Sequence, residues 1–376
     1  MSSTSEHMPP STSLSATGAS GTLISIAVIL IAGGVSFAAG IAVIYFGHML
    51  LNSTVAGILP ALINFIVYLA LVIVACAAAA YIFRLMLQRF TVEGVAKPMR
   101  HAPLTASFGL LVILLYVIFA LGAPLIAPWG EAEVIEGAQI NMPPGTDPCC
   151  LLGTDQIGRD LFSRLIYGAR NTVGIAFVTT LLAFFIGASL GFLAATLQGW
   201  LDQLVSRTVD VLMAIPSLIF ALLIITIIGQ STINMILVIA VLDSTRVFRL
   251  SRAVGLNIVV MDYIEAAKLR GEGLGHLIFK EILPNAYAPL LAEFGLRFCF
   301  VFLTIAALSF LGLGIQPPLA DWGSMVSELR QFISFAQWDI LSASLPLMAA
   351  GAIALLTVAV NFVVDWMLHR SSGLKE

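Results

Sequence analysis

The chain has 376 residues, 59% of them hydrophobic and 10% charged, with a mean hydropathy of +1.01 and a formal net charge of −3. This balance excludes an ordinary soluble domain and places the chain in a bilayer, while so small a net charge selects no partner. There is no GxxxxGK[ST] phosphate loop, no Gly-Lys dipeptide and no Ser/His/Asp or Cys/His constellation, so neither ATP binding by this chain nor catalysis is expected. Nucleic-acid binding is not expected either, because no basic stripe occurs outside the loops between apolar runs.

Residues 1–21 are Ser/Thr-rich and polar, with no Lys or Arg ahead of the first apolar run and no convincing cleavage site. They read as a disordered cytoplasmic tail rather than a signal peptide. Apolar runs long enough to cross about 30 Å of hydrocarbon then occur at 22–46, 58–83, 104–127, 171–196, 209–228, 232–250, 289–313 and 343–368. The expected fold is therefore all-α and polytopic, with about eight transmembrane helices. Only Gly229, Gln230 and Ser231 separate the fifth run from the sixth, so seven spans with one re-entrant segment is the alternative.

Lys and Arg are retained on the cytoplasmic side. With the N-terminus inside, thirteen of them fall in or beside cytoplasmic segments and four outside, at Arg159, Arg164, Arg170 and Arg330. Both termini are thus expected in the cytoplasm. The chain divides near residue 100: residues 22–100 hold two spans and a basic linker over 84–101, and residues 101–376 hold six spans with an external loop at 128–170 and a cytoplasmic loop at 251–288.

Within that cytoplasmic loop lies a polar island, DYIEAAKLRGEGLGHLIFKEILPN, from Asp262 to Asn285. Glu265 and Lys268 share one helical face, Gly271, Gly273 and Gly275 interrupt the helix, and Leu274, Leu277, Ile278 and Ile282 form an apolar stripe beyond it. The segment predicts two short helices joined by a sharp corner, which must project into water or rest in another protein's groove. Its spacing, Glu265, Ala266, Ala267, then Gly271, Leu274 and Pro284, resembles the EAA loop of ABC importer permeases, whose coupling helix inserts into an ATPase subunit.

Three further segments resemble the C-type permease subunit of dipeptide, oligopeptide and nickel importers: LGTDQIGRDLFSRLIYGAR at 152–170, DVLMAIPSLIFALLI at 210–224 and SFLGLGIQPPLADWGSMV at 309–326. The run RVFRLSR at Arg246–Arg252 leads into the EAA-like loop as in that subfamily. The resemblance implies a six-helix type I ABC importer core in a bacterial inner membrane, from which the two extra N-terminal helices depart. It implies as partners a homologous B-type permease, two ABC ATPase subunits or domains carrying ATP and Mg, and an extracytoplasmic solute-binding protein. This chain itself is expected to hold no cofactor. Peptides are the implied cargo, with nickel, glutathione or a modified peptide as alternatives. An ion-driven secondary transporter and a membrane scaffold for an ATPase are readings from other classes.

Asp155, Gly158, Arg159 and Asp160 read as a polar turn at the outer mouth, with Asp160 and Arg164 at helical spacing for an ion pair, or else as an ordinary solvated loop. Gly312, Gly314, Gln316 and Pro317 either support a gate or mark the end of a span. Gly187, Ser189, Gly191, Ala194 and Ala195 suit close helix packing. Glu293 and Arg297 are four apart and read as a local pair in preference to a substrate contact, and Asp365 is near enough a helix end to snorkel. Cys76 and Cys299 read as packing residues. Adjacent Cys149 and Cys150 suit either a strained disulfide or free thiols, and His101 and His276 suit an interface. No metal-ligand spacing occurs.

Overall fold

Helix satisfies every backbone N–H and C=O within its own segment, as hydrocarbon demands. The computed structural model describes residues 58–90, 102–144, 149–337 and 340–371; these are helical apart from loops, and among them the one β feature is a single bridge between Thr154 and Asp160. The expected tail at 1–21, the run at 22–46 and the linker residues 91–101, with His101, lie outside the described residues.

Two compact units divide between Leu111 and Val112. The first contains α1 (Ile58–Phe90), of which Val72–Arg89 is long and apolar enough to span. The helix α2 (Leu104–Ile126) carries the chain into the second unit. There follow α3 (Leu161–Gly168), a π-helical turn over Ala169–Val173, and α4 (Gly174–Leu197), together one 37-residue candidate span. Next come α5 (Gly199–Ala214), α6 (Ser217–Ile228), α7 (Thr232–Val259) and the short α8 (Asp262–Leu269). The short α9 (Leu274–His276), a π turn over Leu277–Ile282 and α10 (Leu283–Phe310) form another 37-residue span. Finally α11 (Trp322–Leu329) leads through a 3₁₀ segment to α12 (Ile340–Ser371).

The centre of the second unit is the pair α4 and α7. A Cβ on Gly187 would lie 2.5 Å from the Ser244 carbonyl oxygen, one on Gly191 2.8 Å from that of Phe248, and one on Gly255 2.8 Å from the Ala195 Cβ. Only glycine permits this approach, so the small-residue stripe packs helices as expected. Contacts advance in the same direction along both helices, so α4 and α7 run parallel.

A parallel pair requires the intervening residues to carry the chain back across the bundle. They do so as a broken helix. The run expected as one span at 209–228 is instead split, with 209–214 ending α5, an extended Ile215 and Pro216, and a 93° bend into α6. Proline removes an N–H and drives the residue before it out of helical conformation, which the apolar composition of this run conceals. Five described helices are long and apolar enough to cross a membrane, six if α5 and α6 count as one. Outside that count, α7 has 28 residues, roughly 42 Å of helix, but carries Asp243 near its middle and Arg246, Arg249 and Arg252 in its second half.

Candidate functional site

The polar island forms a corner at one end of the second unit. Ile264 and Ala267 are fully buried, packing α8 onto Phe192, Ile258, Val259, Leu277 and Ile282. The remaining faces of α8 are exposed, including Glu265, Ala266, Lys268 and Arg270. The corner itself is a Schellman ending: the Glu272 N–H donates to the Ala267 carbonyl at 3.2 Å and the Gly271 N–H to that of Lys268 at 3.0 Å. Gly271 has φ +78, a left-handed conformation that favours glycine.

The three glycines have different roles. Gly271 alone breaks the helix, Gly273 is the extended residue ahead of α9, and Gly275 is helical. Nor is the second helix short, because α9 passes through the π turn into α10 as one span. Pro284 is accommodated just after that π turn, where the Asn285 side-chain amide donates to the Glu281 carbonyl at 2.7 Å. Leu277, Ile278 and Ile282 are buried as the stripe requires, whereas Leu274 is 42% exposed.

The outward face is more apolar than the charge pattern suggested. Val260, Met261, Leu269 and Phe279 are exposed with Leu274, Leu269 at 83%. Leu269, Leu274 and Phe279, apolar residues standing between charges in the island, were the available signal. His276 lies between Glu272 and Glu281, at 3.3 and 3.6 Å, and ties the corner together.

At the opposite end, Asp155 organises a buried ion cluster. Its Oδ1 accepts from the N–H groups of Ile157 (3.0 Å) and Arg159 (2.9 Å), and its Oδ2 from Arg159 Nε (2.7 Å) and from Arg164. Arg164, 2% exposed, also meets Glu328 of α11 at 3.1 Å. Burial pushes the Asp155 carboxyl up, but donation by the Arg159 N–H and guanidinium, with the Arg164 charge, outweighs it and holds the group below the ordinary carboxylate range. Gly158, at φ +83, turns the chain between Asp155 and Arg159. The solvated-loop alternative therefore does not describe this segment.

The expected Asp160–Arg164 pair does not form. Asp160 caps α3 instead, accepting from the Ser163 N–H at 2.8 Å and its hydroxyl at 2.6 Å. A carboxylate just before a helix satisfies the free first-turn N–H groups, and this leaves Arg164 to Asp155 and Glu328.

The 309–326 segment docks beside this cluster. Gly312, at φ +82, ends α10 by the same Schellman geometry, with Leu313 N–H to Leu308 carbonyl at 2.9 Å and Gly312 N–H to Ser309 at 3.0 Å. The Gln316 amide donates to the Gly314 carbonyl at 3.0 Å, and Pro317–Pro318 is a cis bond. Asp321 caps α11 through the Ser324 N–H at 2.8 Å and accepts from Thr172 at 2.8 Å. Burial dominates there and raises the Asp321 carboxyl above its ordinary value despite these donors. The Trp322 indole donates to the Leu165 carbonyl at 2.9 Å and packs edge-on to Tyr116 and Phe302. Asp321 and Trp322 were not singled out from the sequence, although both lie in the 309–326 motif. In the 128–170 loop Cys149 and Cys150 form a disulfide. Cys299 is buried and Cys76 half-buried.

Residues 187–372 match the family described as binding-protein-dependent transport system inner membrane component. The dipeptide transport system permease protein DppC of Alkalihalophilus pseudofirmus is 37% identical over 236 residues, 63% of this chain and 77% of that protein. The chain belongs to this permease family. The di/tripeptide transport system permease protein DppC of Pseudomonas aeruginosa is 39% identical over 261 residues, 68% of this chain and 84% of the relative. The glutathione transport system permease protein GsiD of Pectobacterium atrosepticum is 33% identical over 255 residues, 68% and 82% of the two chains. As a permease of this family the chain is an all-α, multi-pass inner membrane protein, and the matched region contains the whole corner.

Proposed function

We propose that this permease forms half of the translocation path of an ATP-driven importer of di- or oligopeptides. A homologous B-type permease completes the path, a solute-binding protein delivers cargo to the Asp155 end, and two ABC ATPase subunits engage the corner. The observation that carries this reading is the exposed corner of Glu265, Ala266, Leu269, Gly271 and Leu274, held rigidly on the chain's own core inside the matched family region. Permeases for dipeptides and di/tripeptides among the relatives support the cargo, and the glutathione permease relative favours a modified peptide as the second reading.

In this arrangement both termini and the 251–288 loop are cytoplasmic, and the 128–170 loop is external. A six-helix core follows an N-terminal region that contains α1. The chain is non-catalytic and carries no cofactor; ATP and Mg belong to the ATPases. The corner transmits closure of the ATPases only if its contacts differ between their open and closed states. Purification of the tagged chain from its native membrane under mild conditions tests the assembly. Recovery of a second permease and ATPases is expected, and recovery of the chain alone would overturn the reading.

A further inference from the structure

We propose that Asp243 contacts the positively charged amino terminus of the peptide in transit, an inference that rests on the peptide-importer reading. Asp243 is 5% exposed and stands 11 residues from the start of α7, about 16 Å along the helix. Arg297 stands 13 residues before the end of α10, about 20 Å along it. The apolar runs at 232–250 and 289–313 place both residues within the membrane, where a charge is costly unless it pairs or faces a polar path.

The pairing at Asp243 is incomplete. Arg246 reaches it at 3.2 Å and Arg297 at 3.8 Å, both longer than the roughly 2.7–2.9 Å of a strong charge-assisted bond. Both converge on Oδ1, and no described residue donates to Oδ2. Arg297 makes its close contact elsewhere, at 2.7 Å to Glu293, so the expected Glu293–Arg297 pair forms and leaves Asp243 the weaker share.

The open side of Asp243 faces a recess between α6, α7 and α10. Ser217, Thr304, Arg246 and Asp243 supply its polar lining, and Ala221 and Ile239 part of its apolar wall. Its volume of about 10 Å³ suits one water-sized group. An ammonium head is of that size and brings three donors to an acceptor that lacks them. A side chain does not fit. The recess thus has room for a primary ammonium, which every free peptide carries at its amino terminus, with the rest of the peptide lying outside it.

The test is uptake of a labelled dipeptide into proteoliposomes containing the complete importer, with its partner permease, ATPases and binding protein. Asp243→Asn is expected to lower uptake about tenfold or more while binding-protein-stimulated ATP hydrolysis persists. The double variant D243N/R246Q removes the arginine left unpaired by the first change, and is expected to assemble and remain equally defective. Uptake by D243N within twofold of wild type, recovery of uptake in the double variant, or failure of both to assemble would each show a charge-balancing role and overturn the proposal. Absence of uptake by the wild-type complex would instead overturn the peptide-importer reading, before any variant is compared.

Discussion

Ala266 and Ala267 leave the same turn of α8 about 100° apart, the first exposed and the second fully buried between Ile264 and the α9–α10 segment. Two adjacent small residues therefore have separable roles. Ala267→Phe overpacks the core and is expected to cost about 1–3 kcal/mol, read as a lower melting temperature and lower recovery of the complex. Ala266→Phe is expected to leave melting unchanged and to reduce the ATPase recovered with the chain.

Gly271 makes a second separation. Its φ of +78 penalises any Cβ, but asparagine tolerates this region better than alanine or valine. No neighbour lies within 4 Å of a Cβ placed there, so crowding plays no part. ATP-driven uptake is expected to rank wild type, then Gly271→Asn, then Gly271→Ala, then Gly271→Val. Equal activity of the valine and asparagine variants would show that the corner's backbone shape does not matter.

The Asp155 cluster predicts acid sensitivity. A carboxyl whose folded pKa is lowered contributes stability that is fully present above its unfolded value, about 4, and is lost as pH falls through the folded value. Asp155→Asn leaves Arg164 buried beside Glu328 alone, at an expected cost of about 3–5 kcal/mol near neutrality. Thermal unfolding from pH 7 to pH 3 checks both: the gap between wild type and variant should narrow as acid protonates Asp155.

Helix packing supplies a contrast between glycines. Gly191→Val drives a side chain into the α7 backbone near Phe248 and Ser251, and should lower the melting temperature by an amount equivalent to about 1–3 kcal/mol. Gly174→Ala meets nothing within 4 Å and should be neutral or stabilising by up to about 1 kcal/mol. Equal effects would argue against the close α4–α7 contact.

The spans were legible because hydrocarbon demands long apolar runs, and the corner because charge interrupts them at a fixed spacing. Pro216 was visible, but its consequence was not, since a 93° break and a straight span have the same composition. Which alanine faces inward depends on the angle at which α8 meets Phe192 and Ile258, and sequence spacing does not set that angle. Local rules failed in one instructive place: Asp160 and Arg164 have ideal spacing for a pair, yet the helix's free N–H groups claim the carboxylate and a residue 164 positions away claims the arginine. The shared capping geometry at Gly271 and Gly312 shows the reverse, because glycine after a helix is a local signal that the structure follows.

The most direct test of coupling is ATP-driven uptake of a labelled dipeptide by the reconstituted importer, comparing wild type with Leu269→Glu at the exposed face of α8. Wild-type uptake is expected to require ATP hydrolysis and the binding protein, and the variant is expected to fold but lose both ATPase engagement and uptake. Uptake that continues without ATP and collapses when ion gradients are dissipated would contradict that expectation.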